Sequence, residues 1–216
     1  MNLIEQAYTE LYPERTENRE LILRYSGRFR GYNANIRMNW STITINASKK
    51  WKGVSPDIQK GLYQELLIRL LKGKKDSINI DLYHNFIKSL PNVAPKTQTH
   101  PILEESFNRV NEAFFNGMLE QPNLKIGNGL NRLGTYEYAT DTVTISKILL
   151  EKQELMDYVM YHELLHKKYQ YKTRPGRQIH HGKKFRENER KFPDAERLEI
   201  ELNKQVRKHK KTSWFW

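Results

Sequence analysis

The chain has 216 residues, 38% of them hydrophobic, and carries 37 Lys and Arg against 25 Asp and Glu, a formal net charge of +12. That length and apolar content suit one large domain or two small ones. No cysteine is present, which excludes disulfides, thiolate ligands and cysteine nucleophiles and fits a reducing, cytoplasmic setting; no apolar run approaches the ~18 residues of a membrane span, and the first residues lack the pattern of a secretion signal.

An amphipathic helix pattern opens the chain around Ile4-Glu5-Gln6-Ala7-Tyr8, and alternation typical of strands runs from Tyr32 to Asn46. Ser55 stands as an N-cap with Pro56 at the first helical position. Ile58, Leu62, Leu66, Leu67, Leu70 and Leu71 then mark a helix that stops at Gly73. Lys88–Pro101, with Pro91, Pro95 and Pro101, reads as a linker. Beyond it come another amphipathic helix around Val110-Asn111-Glu112-Ala113-Phe114, a hairpin pattern over Leu133–Ser146, and a helix from about Lys152 to Lys168 anchored by Leu155, Tyr158, Val159 and Leu165.

The two sides of the linker repeat one another. Ile4–Tyr8 resembles Val110–Phe114, Gly31-Tyr32 the region Gly134-Thr135-Tyr136, Ile43-Thr44-Ile45-Asn46 the run Val143-Thr144-Ile145-Ser146, and Gln64-Glu65-Leu66-Leu67-Ile68 the run His162–His166, all in the same order. The expected fold is α+β: a unit of helix, small antiparallel sheet and helix, used twice. The expected divisions are 1–98 for a degenerate copy, 99–204 for the intact one and 205–216 for a basic and aromatic tail. Gln64 and Ile68 replace the two histidines in the first copy, and Ile68 cannot ligate a metal. Residues 1–98 are therefore expected to be a pseudo-domain serving as structural support, substrate platform or DNA-binding face, with Glu65 an ordinary carboxylate on the helix surface.

In His162-Glu163-Leu164-Leu165-His166 the histidines are four apart and so project from one helix face, where two imidazoles can grip one Zn²⁺ at about 2.0–2.1 Å. Glu163 is offset by roughly 100° and can lean toward a water on the metal, the arrangement that hydrolysis needs. Isolated matches to this motif also arise on solvated helices, but four of the seven histidines fall within residues 162–181. A catalytic zinc needs a third protein ligand and an open position. Lys172 stands where the metzincin pattern demands histidine, which excludes that class. His180 and His181 both fit on spacing, with Gly182 allowing close backbone approach and Phe185 packing the next helix onto the core; Glu187, Glu189 and Glu196 are the competing acidic ligands. Tyr158, Tyr161, Tyr169, Arg174 and Arg177 are candidates for stabilising an oxyanion.

HELLH followed 15 residues later by His181-Gly182-Lys183-Lys184-Phe185 resembles the SprT-like/Spartan metallopeptidase family, with its HExxH…HGxxF pattern. Phe107–Gly117 and Leu133-Gly134-Thr135-Tyr136 are similar to that family's opening helix and hairpin, and the resemblance covers roughly residues 102–192. It implies a zincin-like fold, His162, His166 and His181 as ligands of one Zn²⁺ per chain, Glu163 as general base, and in several members proteolysis of proteins attached to DNA. The chain departs from the family in lacking a Cys-rich zinc ribbon and in carrying the N-terminal copy.

Sixteen Lys and Arg but only six Asp and Glu follow His166. A polyanion, DNA or another nucleic acid, is the partner expected for this basic C-terminal third, against the plainer reading of a solvated face. Trp214, Phe215 and Trp216 would stack on unpaired bases or dock as an apolar plug. The expected function is a zinc metalloendopeptidase acting on nucleic-acid-associated protein. The alternatives are a non-catalytic nucleic-acid binder with a structural zinc and a hydrolase of another amide or ester.

Overall fold

The computed structural model describes residues 1–29, 31–174 and 177–212, without the side chains of 172–178 and 210–212. The fold is α+β and divides into two compact units, Met1–Ser89 with Thr173–Ile179, and Leu90–Lys172 with His180–Trp216. Among the described residues no helix is long and apolar enough to cross a membrane.

In the first unit the order is α1 (Leu3–Leu11), β1 (Glu20–Ser26), β2 (Ala34–Met38), β3 (Thr42–Ser48), α2 (Pro56–Leu71) and α3 (Ile78–Val93). Asn2 and Glu5 form a reciprocal capping box that starts α1. The sheet has the order β1-β3-β2, with β1 parallel and β2 antiparallel to β3. Ile43, Ile45 and Ala47 of β3 alternate inward onto Trp51, Tyr63, Leu67 and Ile68, all fully buried. Helix α2 begins at Pro56 as expected and ends at Leu71, just before the expected stop at Gly73: Lys72 adopts the left-handed conformation (φ 55) that closes it. Helix α3 lies so close to α2 that a Cβ on Gly61 would collide with the Asn79 carbonyl.

The second unit runs α4 (Pro101–Phe115), β4 (Asn123–Gly127), β5 (Gly134–Glu137), β6 (Thr142–Ser146), α5 (Gln153–Tyr169), α6 (Lys183–Glu189) and α7 (Ala195–Thr212); between α5 and α6 in the chain come the short strands β7 (Lys172–Arg174) and β8 (Arg177–Ile179), whose residues 173–179 group with the first unit. Its sheet has the order β4-β6-β5, again one parallel and one antiparallel pair. Both sheets are therefore mixed rather than antiparallel, because each gains a parallel strand from the segment before its hairpin. Arg109 grips Asp157 through two 2.9 Å bonds and Ser106 Oγ adds a third at 2.6 Å, which pins α4 against α5. Phe107, Val110, Phe115, Val143, Ile145, Leu164 and Leu165 fill the core between these helices and the sheet.

The units share details beyond strand order. Ser48 Oγ donates to the Gly31 carbonyl at 2.7 Å, and Ser146 Oγ to the Gly129 carbonyl at 2.6 Å. Ala34 pairs with Ala47 as Gly134 pairs with Ile145, each opening its edge strand. By these contacts Ala34 stands where Gly134 does, Gly31 where Gly129 does and Ser48 where Ser146 does, three places where the sequence pairing differed.

Half of the expected linker is helical, and residues 95–100 carry no regular element. Helix α3 continues to Val93 through Pro91, and the Thr97 and Gln98 amides donate to Asn123 Oδ1 at 2.8 and 2.9 Å, fastening this segment to the start of β4. Residue 205, where a tail was expected to begin, lies inside α7, whose last residue is Thr212. The aromatic ending, residues 214–216, lies outside the described residues.

Candidate metal centre

Helix α5 is buried on most sides by Leu155, Met156, Tyr158, Val159, Met160, Tyr161, Leu164 and Leu165, leaving His162 and His166 on the half-exposed remainder. The backbone beyond β8 brings His181 back to them just before α6. His166 Nε2 stands 3.3 Å from His162 Nε2 and 3.1 Å from His181 Nε2. Four ligands at about 2.0–2.1 Å around a tetrahedral ion stand about 3.3–3.4 Å apart, so the three nitrogens fit two edges of such a polyhedron. These residues form a group able to hold a metal ion.

Phe185 is the floor of the cluster. Buried to 2% exposure, its ring lies 4.7 Å from the rings of His166 and His181 and 5.2 Å from that of His162. Gly182 caps α6 in an extended conformation, and a Cβ there would meet nothing within 4 Å. Close backbone approach is therefore not why glycine occupies that position, contrary to expectation.

Burial, then the neighbouring His162, His181 and His180, push His166 down to about 3. Burial and its neighbours likewise lower His181. Neutral imidazoles are what a metal requires, and such crowding is unfavourable for three imidazolium ions. At His162 burial disfavours the charged ring, but the hydrogen bond to Glu189 and the charge of Glu163 outweigh it and raise the pKa. His162 Nδ1 donates to Glu189 Oε1 at 2.6 Å, leaving Nε2 to face the other histidines. Glu189, a rival ligand by sequence, thus orients a ligand-type imidazole from behind, the usual outer-sphere arrangement at metal sites.

Glu163 is 5% exposed. Burial raises its pKa to about 7, against the opposing effects of the His162 charge and a hydrogen bond from the Tyr136 backbone N–H. A Cβ on Gly134 would stand 2.5 Å from Glu163 Oε1, so the glycine opening β5 makes room for the carboxylate. Sequence reasoning had used Gly134 as a repeat marker and as part of the hairpin that resembles the family, not as room for a carboxylate.

His180 lies outside the cluster, its ring 5.5 Å from that of Tyr171 and 6.2 Å from that of His166. The proposed oxyanion tyrosines are engaged elsewhere: Tyr161 Oη donates to the Asn188 carbonyl at 2.7 Å, Tyr158 Oη points to Glu199 at 3.4 Å, and the Tyr169 ring packs on the core. The side chains of Arg174 and Arg177 lie outside the described residues. Tyr138, which sequence reasoning passed over, brings a buried hydroxyl without a hydrogen-bond partner among the described residues, and burial and the Glu163 charge both disfavour its ionisation.

Residues 103–209 match the SprT-like family. This segment of the chain belongs to that family. No curated protein matches the chain. Among solved structures the chain is similar to the metallopeptidase zymogen jannalysin of Methanocaldococcus jannaschii, at 21% identity over 48% of this chain and 96% of that one, with a TM-score of 0.39. The SprT-like segment begins in α4 and ends in α7, and so encloses all four residues His162, Glu163, His166 and His181.

In the first unit the corresponding stretch is closed. Gln64, fully buried, bonds to Ser77 and, at 3.2 Å, to Glu10, while Ile68 sits in the core. Glu65 is buried rather than on the helix surface. Its carboxylate meets His84 of α3 at 2.6 Å and Arg69 at 3.1 Å, since a carboxylate at that depth requires charged or hydrogen-bonding partners.

Proposed function

We propose that the SprT-like segment is a zinc-dependent metallopeptidase that hydrolyses peptide bonds in nucleic-acid-associated proteins. His162, His166 and His181 hold the metal through Nε2, and Glu163 is the general base. The carrying observation is the convergence of those three nitrogens within 3.3 Å steps, with the buried carboxylate of the neighbouring Glu163 outside the ligand group. When bound, zinc supplies Lewis acidity that polarises a carbonyl and acidifies water. The Glu163 carboxylate takes up the water's proton and passes it to the departing amine, held in place by the Tyr136 N–H. Glu189 fixes the tautomer of His162. The edge strand β5 offers backbone groups to an extended substrate.

We further infer that residues 1–98 are a degenerate second copy of the catalytic unit. Identical strand order, the paired serine-to-glycine bonds and the matched opening of the edge strands support it. Metal content, and turnover of an unstructured protein with and without DNA, test both readings together. One zinc per chain and DNA-stimulated cleavage are expected. A second tightly bound zinc would remove the degenerate-copy reading, and zinc without cleavage would favour a structural metal.

A further inference from the structure

The positive charge of the chain is not confined to its C-terminal third. Residues 1–89 carry fifteen Lys and Arg against nine Asp and Glu, whereas 90–166 carry six against ten. Part of the surplus in the first unit falls on one face of its sheet. Leu21, Ile43, Ile45 and Ala47 point into the core, so the alternate residues face outward. Two rows cross that outer face in register, Ile22–Thr44–Arg37 and Arg24–Asn46–Asn35. Arg24 and Arg37 are exposed and have no ion-pair partner among the described residues, while Asn46 bonds Asn35 at 3.1 Å. Glu20, in register with Thr42 and bonded through its amide to the Ser41 carbonyl at 2.9 Å, is the one acid in these strands and stands at the end of the face next to the β2–β3 turn.

Beside these rows the β2–β3 turn presents Trp40, 90% exposed. The turn is rigid. Asn39 Oδ1 accepts from the amides of Ser41 (3.0 Å) and Thr42 (2.7 Å) and from both hydroxyls, and the Asn39 amide donates to the Thr42 carbonyl at 3.0 Å. Scattered exposed apolar residues need no explanation. A tryptophan held out by a braced turn, next to two arginines without ion-pair partners among the described residues, has the make-up of a stacking platform joined to a phosphate track.

We propose that this outer face of the first unit binds single-stranded nucleic acid, with a base stacked on Trp40 and phosphates against Arg37 and Arg24. The site lies outside the SprT-like segment and needs no catalysis. It places the nucleic acid that the peptidase reading invokes on the degenerate copy rather than only on the C-terminal third.

The test is fluorescence anisotropy of the full chain with a labelled oligothymidylate of about a dozen nucleotides and with a duplex of equal length. Trp40→Ala should weaken single-strand binding about tenfold or more, because stacking is lost, and should hardly change duplex binding. Trp40→Phe should restore most of the affinity. Arg24→Ala combined with Arg37→Ala should flatten the log–log salt dependence by about 1.4, at about 0.7 per phosphate contact on a single strand. All three side chains are exposed, so the fold should persist, which the thermal midpoint checks. Glu163→Gln should bind like wild type, which separates this site from the peptidase reading. Unchanged affinity and slope in these variants would overturn the proposal. So would an equal loss on duplex, or binding of polyglutamate that depends on the same residues, which would assign the face to an acidic protein.

Discussion

Replacing Gly134 by Ala adds one methyl group at the point where β5 meets α5. That methyl would stand 2.5 Å from Glu163 Oε1, 2.5 Å from Val159 Cγ1 and 3.0 Å from Glu163 Cγ. Carbon contacts are comfortable at about 3.5–4.0 Å, so a neighbour must yield by about 1 Å. Val159 Cγ1 sits on a short β-branched side chain packed in the core, whereas Glu163 Oε1 is the far end of a longer, flexible one, so the carboxylate is the group that moves. The backbone of Gly134 is not among the described glycines with positive φ, so the effect is steric rather than conformational. Overpacking of this kind costs about 1–3 kcal/mol of stability, and a misplacement near 1 Å at the reacting groups costs on the order of 100-fold in rate. The three histidines are untouched. Steady-state cleavage, zinc content and thermal unfolding measured together should give kcat down on the order of 100-fold, zinc retained and a modestly lower midpoint. A wild-type rate would refute the placement of the carboxylate against Gly134, and loss of zinc would show that the position supports the ligands instead. At the same point in the first unit Ala34 carries that methyl, and Glu65 there bonds His84 and Arg69.

His181→Ala should abolish tight zinc binding while His180→Ala leaves it nearly intact, as read by competition with a chromogenic chelator; the reverse order would move the third ligand by one residue. Glu189→Gln should weaken zinc affinity about 10- to 100-fold by loosening His162, and an unchanged affinity would make that 2.6 Å bond incidental. His84→Ala should destabilise the first unit by about 2–3 kcal/mol, because it removes a buried partner of Glu65 and leaves Arg69. Denaturant unfolding measures this, and a neutral result would mean that water replaces the imidazole.

The metal cluster was legible because its strongest element is local: a four-residue spacing on a helix needs no tertiary knowledge, and Leu155, Tyr158, Val159 and Leu165 placed that helix in a core. His181 was reached only through the family resemblance, and most of what else lay beyond local spacing was missed. Strands β1 and β4 pair in parallel with β3 and β6, and parallel partners need a crossover that no hairpin signal announces; β4 also offers only Leu124 and Ile126 as apolar residues. The acid behind His162 was seen only as a rival ligand, since its distance from the imidazole depends on how α6 docks against α5. Glu65 was taken for a surface group because α3, which covers it, begins beyond the helix terminator that closed the repeat. Gly134 carries no local sign that a carboxylate 29 positions later rests on it.

Glu163→Gln tests the central claim most directly. Glutamine keeps the shape of the side chain and can still accept from the Tyr136 N–H, but it cannot take up a proton at neutral pH. General-base catalysis is worth about 100- to 10,000-fold. Zinc content, thermal midpoint and cleavage of an intrinsically disordered protein are to be measured against wild type. The account predicts one zinc retained, a midpoint equal to or above that of wild type, since a costly buried carboxyl is replaced by a neutral amide, and cleavage lowered by at least about 100-fold. Cleavage at the wild-type rate would contradict it.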